Sequence, residues 1–218
     1  MPSVDQRDTA TTVPRPSKRE RKKAEKERRI LAAALDLFRE HGFEDTTTAE
    51  IARRAGIGAG TLYLYVGSKE DLLVAVFNED AGHAWETAFN AADPCAPVVE
   101  QLIEVFSAVS DHHEADMRLA RAYFKQLSFV GEEASEGVRA FMRTFYGRLT
   151  ALLEQAQESR RLAPEVPART LAGNLFAIWF LLMQRRSNGS LSPEEMSAEL
   201  RSGFEVALWA MTPQGPAC

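Results

Sequence analysis

The sequence contains little cysteine and no long apolar run, and both shortages narrow what the protein can be. Cys95 and Cys218 are the two cysteines among 218 residues, too few for a disulfide framework, which favours a reducing compartment. The longest apolar run, LFAIWFLLM at residues 175–183, is far shorter than the roughly 20 residues of a membrane-spanning helix. The first residues carry charge without an apolar segment, unlike a secretory signal. We therefore predict a cytoplasmic protein without membrane contact.

Residue patterns that support catalysis or cofactor binding are also missing. No Ser/His/Asp, Cys/His or paired-carboxylate arrangement can be recognised, so we predict no catalytic residue and no enzyme activity. GIGAG at residues 56–60 would suit a nucleotide-binding loop only after a strand, and a capped helix precedes it instead. Four neighbouring side chains could in principle bind a metal ion: His112, His113, Glu114 and Asp116. They lie at a predicted helix junction and no second ligand pair accompanies them, so we interpret them as solvated surface residues. We predict neither a metal nor a cofactor.

Charge is unevenly distributed along the chain, whose net charge is -5. Residues 1–73 hold 14 Lys and Arg against 12 Asp and Glu, whereas residues 74–218 hold 12 against 19. Between Arg15 and Arg29, nine basic residues accompany three acidic ones. A basic segment ahead of an acidic remainder suits contact with a polyanion at one end only.

Apolar residues recur at helical spacing along most of the chain, and no alternating strand pattern is present. The composition of residues 18–29 also favours helix. We predict an all-α protein of about nine helices. Their predicted positions are residues 30–41 (continuing 18–29), 47–55, 59–66, 69–90, 98–112, 114–129, 133–159, 168–186 and 193–211. The length suits one small and one medium domain.

The most informative stretch is TTTAEIARRAGIGAGTLYLYVGSKEDLL, residues 46–73. Thr47 and Glu50 form a capping-box pair at the start of one short helix, and Gly56 ends it. A second short helix is predicted from about residue 59 to residue 66. Helix, tight turn, helix is an arrangement that can enter the DNA major groove.

This stretch resembles the DNA-binding domain of the TetR family of transcriptional regulators. The matching elements are LF-x-x-x-GF-x-x-TT at residues 37–47, IA-x-x-AG-x-x-x-G-TLY-x-Y at 51–65 and SK-x-x-LL at 68–73. Val66 departs from the pattern, since the family often has Phe there. The resemblance covers about the first third of the chain. It implies a helix-turn-helix head at residues 27–86 (47–66 for the motif itself), preceded by a disordered basic arm at 1–26.

Contact with double-stranded DNA is expected from small residues that allow close approach, from hydroxyls and from cations. The predicted DNA contacts are Arg28, Arg29, Thr47, Gly58, Ala59, Gly60, Thr61, Tyr63, Leu64, Tyr65 and Lys69. A charge run is usually solvated surface. Beside a helix-turn-helix, however, DNA contact is the preferred interpretation, with Lys18 to Lys26 adding salt-dependent affinity.

Residues 87–218 are predicted to form a helical ligand-binding and dimerisation body, joined to the head by helix 4. The large apolar side chains there could be plain core, but the resemblance implies an effector pocket and a homodimer built from helices 8 and 9. The predicted pocket residues are Trp85, Phe106, Phe124, Met142, Trp179 and Met183. The predicted dimer contacts are Leu175, Leu182, Leu200, Phe204, Ala207 and Leu208.

The resemblance implies a repressor that a small, largely apolar ligand releases from a pseudo-palindromic operator. Two other classes stay open at this point. One is a DNA-binding regulator controlled by a protein partner or by no ligand. The other is a small-molecule carrier or enzyme that contains a helix-turn-helix.

Overall fold

The computed structural model describes residues 17–127 and 136–211, and every structural statement below concerns those residues. Most of the predicted disordered arm (1–16), the junction of predicted helices 6 and 7 (128–135) and the predicted tail (212–218) lie outside the described residues.

The described residues form nine α-helices and a closing 3-10 turn, without strands. In chain order the helices are α1 Lys18–His41, α2 Thr48–Arg54, α3 Ala59–Leu62, α4 Lys69–Ala91, α5 Val98–Glu114, α6 Met117–Leu127, α7 Glu136–Glu158, α8 Ala168–Ser187 and α9 Pro193–Leu208. The predicted all-α fold is confirmed. No described helix is long and apolar enough to cross a membrane.

The first helix begins at Lys18, which confirms the helix predicted from the composition of residues 18–29 and corrects the disordered arm predicted for residues 18–26. Ser17 and Glu20 make a capping box: the Ser17 Oγ accepts from the Glu20 N–H at 3.2 Å, and the Glu20 carboxylate accepts from the Ser17 N–H at 2.6 Å. Side chains 18–29 are exposed, and the buried face of α1 begins at Ile30. The first half of α1 therefore projects from the head as a capped, basic helix.

The head packs α1, α2, α3 and the start of α4 around one core. Its fully buried large side chains are Ile30, Phe38, Ile51, Leu62, Leu72 and Leu73. Thr46 fixes the loop between α1 and α2, since its buried hydroxyl contacts the carbonyl oxygens of Leu37 at 3.2 Å and Gly42 at 2.7 Å. The predicted capping box of Thr47 and Glu50 is present at the start of α2.

The second helix of the motif is shorter than the predicted residues 59–66. Regular α-helix covers Ala59–Leu62, and the chain then tightens. The Leu64 N–H bonds to the Thr61 oxygen at 3.2 Å and the Tyr65 N–H to the Leu62 oxygen at 2.9 Å, both spanning three residues. Apolar spacing does not distinguish such tight turns from α-helix, because both bury the same side of the chain.

The body packs α5 to α9 around the second half of α4. Helix α8 is buried on several sides because α6, α7 and α9 all contact it. Gly203 lets α9 approach α8 closely, since a Cβ there would lie 2.9 Å from the Ile178 Cγ2. These contacts account for the apolar residues on several sides of α8, whereas Leu181 lies on a side that stays exposed.

Candidate DNA-binding and ligand-binding sites

Gly56 turns the chain between α2 and α3 with a φ of +65°, which glycine adopts at little cost. Arg29 reaches this turn from α1 and donates through Nη2 to the carbonyl oxygens of Ala55 and Gly56. Those carbonyls lie at the end of α2, so Arg29 caps that helix and holds the turn against α1. Arg29 thus holds this turn while its side chain stays exposed, and its contact with DNA phosphate remains a prediction.

The exposed face of the motif carries Tyr63 and Leu64, which are 56% and 81% exposed. The Tyr63 hydroxyl lies 3.1 Å from the Thr48 Oγ1, so α2 orients the tyrosine ring. Most of the other predicted contacts on this face are also exposed: Thr47, Gly58, Ala59 and Gly60, with Thr61 half-buried. Tyr65 differs because it is half-buried and packs against the core. Leu64 and Tyr63 are neighbours on this face, so the motif exposes two adjacent large side chains.

Lys69 is not a free cation at the edge of this surface. Its Nζ donates to the carbonyl oxygens of Phe43 at 2.9 Å and Glu44 at 3.1 Å. The same Nζ lies 4.5 Å from the centre of the Phe43 ring. Lys69 therefore ties the start of α4 to the loop after α1, and its predicted contact with DNA stays a prediction.

An open groove separates the first turns of α1 from Tyr65. Its walls are Ser17, Lys18, Arg19, Glu20, Lys22, Lys23, Lys26 and Tyr65. Five of these eight side chains are cations. Arg28, farther along α1, is exposed and pairs with Glu25 at 2.8 Å, and this pair lowers the pKa of the Glu25 carboxyl. The basic run thus has a fixed helical shape beside the motif.

The body encloses a cavity of about 30 Å³ between α4, α5, α6, α7 and α8. The lining side chains are Ala81, Trp85, Val109, His113, Tyr123, Phe141, Met142, Phe145, Phe176 and Trp179. This volume is enough for about two water molecules. A larger ligand must therefore separate the aromatic walls.

Three of the six predicted pocket residues, Trp85, Met142 and Trp179, line this cavity. The other three, Phe106, Phe124 and Met183, are buried in the core and are not among the lining residues. Helical periodicity cannot separate these two groups, because cavity wall and solid core are equally apolar. His113 was missed, although it continues the apolar face of α5 one turn beyond Val109.

Among the described lining residues, His113 is the one that could carry a positive charge. Its Nδ1 bonds to the Val109 carbonyl oxygen at 2.6 Å. Burial lowers the pKa of His113 to about 4, and the neighbouring His112 acts in the same direction. The ring is therefore neutral near pH 7, and none of the described lining side chains is ionised.

Two other polar groups on the wall are held by cross-helix hydrogen bonds. The Tyr123 hydroxyl donates to the Asn78 Oδ1 at 2.8 Å, and burial raises the pKa of that hydroxyl. The Trp179 Nε1 donates to the Ser110 Oγ at 3.0 Å. The Trp85 Nε1, in contrast, is buried and has no hydrogen-bond partner among the described residues.

An open groove between α7 and α8 adjoins the cavity, because Met142 lines both. The other groove residues are Arg139, Arg143, Tyr146, Gly147, Thr150, Arg169 and Gly173. The three arginines have exposed side chains. The body thus combines an uncharged aromatic interior with a cationic outer groove.

Burial within the chain argues against five of the six predicted dimer contacts, and the sixth, Ala207, stays a prediction. Leu175, Leu182, Leu200, Phe204 and Leu208 are all buried within their own chain, and only Ala207 is half-buried. Apolar periodicity identifies the inward face of a helix, and here the same chain covers that face. The exposed large apolar side chains of this region are Leu181 (56%), Val206 (75%) and Trp209 (80%).

Two helices connect the head to the cavity. Helix α4 carries Leu72 in the head core and Trp85 in the cavity wall. Helix α6 carries Tyr123 in the cavity wall, and its Arg118 Nη2 donates to the Arg39 carbonyl oxygen at the end of α1 at 2.9 Å. Helix α4 was the predicted link, whereas the contact of α6 with α1 spans 79 residues and leaves no local signal in the sequence.

The His112 to Asp116 cluster does not converge on a metal. Within the described residues, no group of three or more His, Cys, Asp or Glu side chains could hold one. Glu114 instead pairs with Arg186 at 2.6 Å.

Comparison with known proteins places these sites in a family context. A family model described as bacterial regulatory proteins, tetR family, matches residues 30–76. The HTH-type transcriptional regulator UidR of Escherichia coli K12 is 30% identical over 147 residues, covering 63% of this chain and 69% of that protein. The fatty acid metabolism regulator protein of Bacillus subtilis is 25% identical over 156 residues, or 72% and 80% of the two chains.

The fold is also similar to that of a solved structure. Thermus thermophilus FadR, a TetR family transcriptional repressor crystallised in complex with lauroyl-CoA, superimposes with a TM-score of 0.71 at 23% identity. The match covers 88% of this chain and 98% of that one.

Proposed function

Because the chain belongs to the TetR family of bacterial regulatory proteins, we propose that it is a homodimeric, cytoplasmic repressor released from DNA by an acyl-CoA ligand. The observation that carries the ligand assignment is the uncharged aromatic cavity beside an arginine-lined groove. The relatives are regulators, and no catalytic step is proposed.

The proposed DNA contact centres on the exposed face of the helix-turn-helix. Tyr63 and Leu64 project from it, and the small residues 58–60 allow the backbone to approach DNA closely. Two such heads in a dimer would enter successive major grooves, about 34–36 Å apart. A pseudo-palindromic operator follows from that symmetry.

The basic first half of α1 is proposed to add phosphate contacts beside the motif. Its groove with Tyr65 presents Lys18, Lys22 and Lys26 among other cations. A capped helix loses less conformational entropy on binding than a flexible arm would. These contacts would strengthen binding to any sequence and weaken as salt rises.

The ligand class follows from the chemistry of the two compartments in the body. Aromatic walls without ionised groups suit an aliphatic chain. Arginines suit phosphates, because the guanidinium offers several donors in a planar fork. An acyl-CoA combines both parts in one molecule, and Thermus thermophilus FadR was crystallised with one.

Release from DNA would follow from the small size of the cavity. An acyl chain cannot fit without moving the walls, and two of the moving parts are Trp85 on α4 and Tyr123 on α6. Both helices reach the head, α6 through Arg118. The ligand would act through its preference for the state with separated walls, in which the two heads no longer match the operator.

The homodimer would form on the exposed face of α8 and α9. Leu181, Val206 and Trp209 are large apolar side chains that the chain itself leaves uncovered there. A partner helix pair packed on them would bury an apolar patch that is unusual on a monomer surface.

The experiment is selection from a random duplex library by the purified protein, followed by fluorescence anisotropy on the enriched sequence. We expect a pseudo-palindromic site, and Tyr63→Ala should weaken binding to it at least about tenfold, as loss of a base-edge contact does. Lauroyl-CoA should release the bound duplex, whereas coenzyme A alone should not, because it cannot separate the cavity walls.

The two halves of the proposal can fail separately. Binding to no duplex even at low salt would contradict the DNA-binding function. Specific binding that lauroyl-CoA leaves unchanged would contradict the ligand class and leave the DNA-binding function standing.

A further inference from the structure

Trp85 carries a hydrogen-bond donor that no described residue satisfies. Its Nε1 is buried without a partner, and the residue as a whole is 2% exposed. The great majority of buried polar groups in proteins are paired, because an unpaired one loses its bond to water without replacement. An indole N–H can only donate, so the missing partner must be an acceptor.

Three phenylalanine rings pack against the indole of Trp85. The rings of Phe89, Phe141 and Phe145 stand nearly edge to face with it, with centroids 5.7, 6.0 and 5.6 Å away. The face of an aromatic ring is a poorer acceptor than a carbonyl oxygen. A carbonyl brought into the cavity would therefore be preferred by this N–H.

The second indole on the cavity wall makes a useful contrast. The Trp179 Nε1 donates to the Ser110 Oγ at 3.0 Å, and that hydroxyl donates to the Phe106 carbonyl oxygen at 2.8 Å. One of the two indoles thus has a partner among the described residues, and the other has none there. Of the two, Trp85 is therefore the candidate donor for a ligand.

The acceptor is expected to be uncharged. The cavity wall contains no ionised side chain, since His113 is buried and its Nδ1 is bonded to Val109. A carboxylate placed there would lose its hydration without gaining a cation. A neutral carbonyl needs only one good donor, and Trp85 supplies it.

We propose that the indole N–H of Trp85 binds an uncharged carbonyl oxygen of the ligand, the thioester carbonyl of an acyl-CoA. This inference rests on the proposed function, because it assumes an acyl thioester as the ligand. The aliphatic chain then lies among the aromatic side chains, and the phosphates lie at Arg139, Arg143 and Arg169. Met142, shared by cavity and groove, marks where the thioester passes between them.

A second unpaired donor, the Asn78 Nδ2, does not carry the same inference. Asn78 is not on the cavity wall, and its Oδ1 already accepts from Tyr123. Rotating the Asn78 amide by half a turn would exchange its oxygen and nitrogen, and the Tyr123 hydroxyl could bond to either atom, since a hydroxyl both donates and accepts. An indole has no such alternative.

The test measures the affinities of the full-length protein for lauroyl-CoA and for S-dodecyl-CoA, a thioether of the same chain length without the carbonyl. The wild type should prefer the thioester by about five- to tenfold, the worth of one buried hydrogen bond. Trp85→Phe should lose this preference by weakening thioester binding, while its affinity for the thioether stays within about twofold.

Trp179→Phe is the matched control, because it removes an N–H that the protein already satisfies. It should affect both ligands equally and keep the preference, and circular dichroism verifies that both variants are folded. A preference that persists in Trp85→Phe, that Trp179→Phe also abolishes, or that the wild type lacks would overturn the inference. Failure of the wild type to bind either ligand, with specific DNA binding intact, would reject the acyl-CoA ligand class and this inference with it.

Discussion

The head and the body of this protein use their polar side chains in different ways. In the head, polar groups hold helix starts and turns in place: a glutamate three residues later closes each capping box at Ser17 and Thr47, and Arg29 and Lys69 donate to carbonyl oxygens of the loops. In the body, buried polar groups such as Tyr123 and Trp179 need partners on another helix, and Trp85 has none among the described residues. A surface proposed to contact DNA needs a rigid scaffold. A cavity proposed to receive a ligand can instead leave a hydrogen-bond donor unpaired until the ligand binds.

Helix α4 belongs to both the head and the body, so the two regions are not independent. Leu72 and Leu73 are buried in the head, and Trp85 on the same helix is buried in the body. Two cores joined by one continuous helix are expected to unfold together. The predictions that follow test this coupling and the different roles of the polar groups, from the largest expected effect to the smallest.

The first prediction compares one aromatic side chain from each core. Phe38 in the head and Phe106 in the body are both fully buried. Replacing either by alanine should lower the free energy of unfolding by about 3–5 kcal/mol, through lost burial and the cavity left behind. Urea denaturation followed by circular dichroism should show one transition that shifts in both variants. Two separate transitions, with Phe38→Ala moving only one, would show that the head folds independently.

The second prediction concerns the body alone and depends on pH. His113 is neutral when folded because burial lowers its pKa to about 4, whereas in the unfolded chain it titrates near 6.5. Between those values the unfolded state binds more protons, so stability must fall as pH decreases from 6.5 to 4. The loss should approach about 3 kcal/mol, since one pKa unit is worth about 1.4 kcal/mol. His112 faces the same ring and works in the same direction.

The measurement is the free energy of unfolding of the wild type and of His113→Leu at pH 7 and pH 4.5. Ion pairs that involve a carboxylate, such as Arg186–Glu114, also weaken in acid, and they remain in the variant. The variant should therefore keep their share of the pH dependence and lose the histidine's share. Equal slopes in both proteins would contradict the assignment of His113 as a buried neutral group.

The third prediction compares two lysines of the head, Lys69 and Lys23, both of which are expected from the sequence to contact DNA. Lys69 bonds to the carbonyl oxygens of Phe43 and Glu44, so Lys69→Met should cost about 1–2 kcal/mol of stability. The same substitution should leave the salt dependence of DNA binding unchanged. Lys23→Met, on the exposed groove of α1, should leave stability unchanged and lower the salt slope by about 0.9 per protomer.

Thermal denaturation and DNA binding across salt concentrations distinguish these outcomes. A reduced salt slope in Lys69→Met would mean that this lysine reaches a phosphate after all. An unchanged slope in Lys23→Met would remove the first half of α1 from the DNA-binding surface.

The helix-turn-helix could be recognised from sequence because its determinants are local. Thr47 with Glu50 caps one helix, Gly56 ends it, and the fixed spacing to Tyr63 carries the family resemblance. The roles of individual cations could not be recognised in the same way. Arg29 and Lys69 bond to carbonyls 26 or so residues away, and nothing in their local sequence distinguishes them from exposed neighbours.

In the body, the sequence predicts the helices but not the roles of individual apolar side chains. Its helices follow from apolar spacing, but that spacing gave the same signal for the cavity-lining Trp179, the solid-core Phe106 and the covered Phe204. Which apolar side chain faces a void, another helix or solvent depends on how α5 to α9 pack. Val206 and Trp209 are exposed for that reason, although they lie beside residues that are fully buried.

The sequence by itself determined the all-α class, most helix positions, the capped helix-turn-helix and the basic character of the first turns, because each depends on residues a few positions apart. Tertiary structure alone decided which arginine and lysine donate to carbonyl oxygens of the head, where the cavity lies and which indole has no partner among the described residues. Those outcomes depend on contacts between helices that are distant in the chain. Spacing along one helix carries no information about the atoms that another helix brings to it.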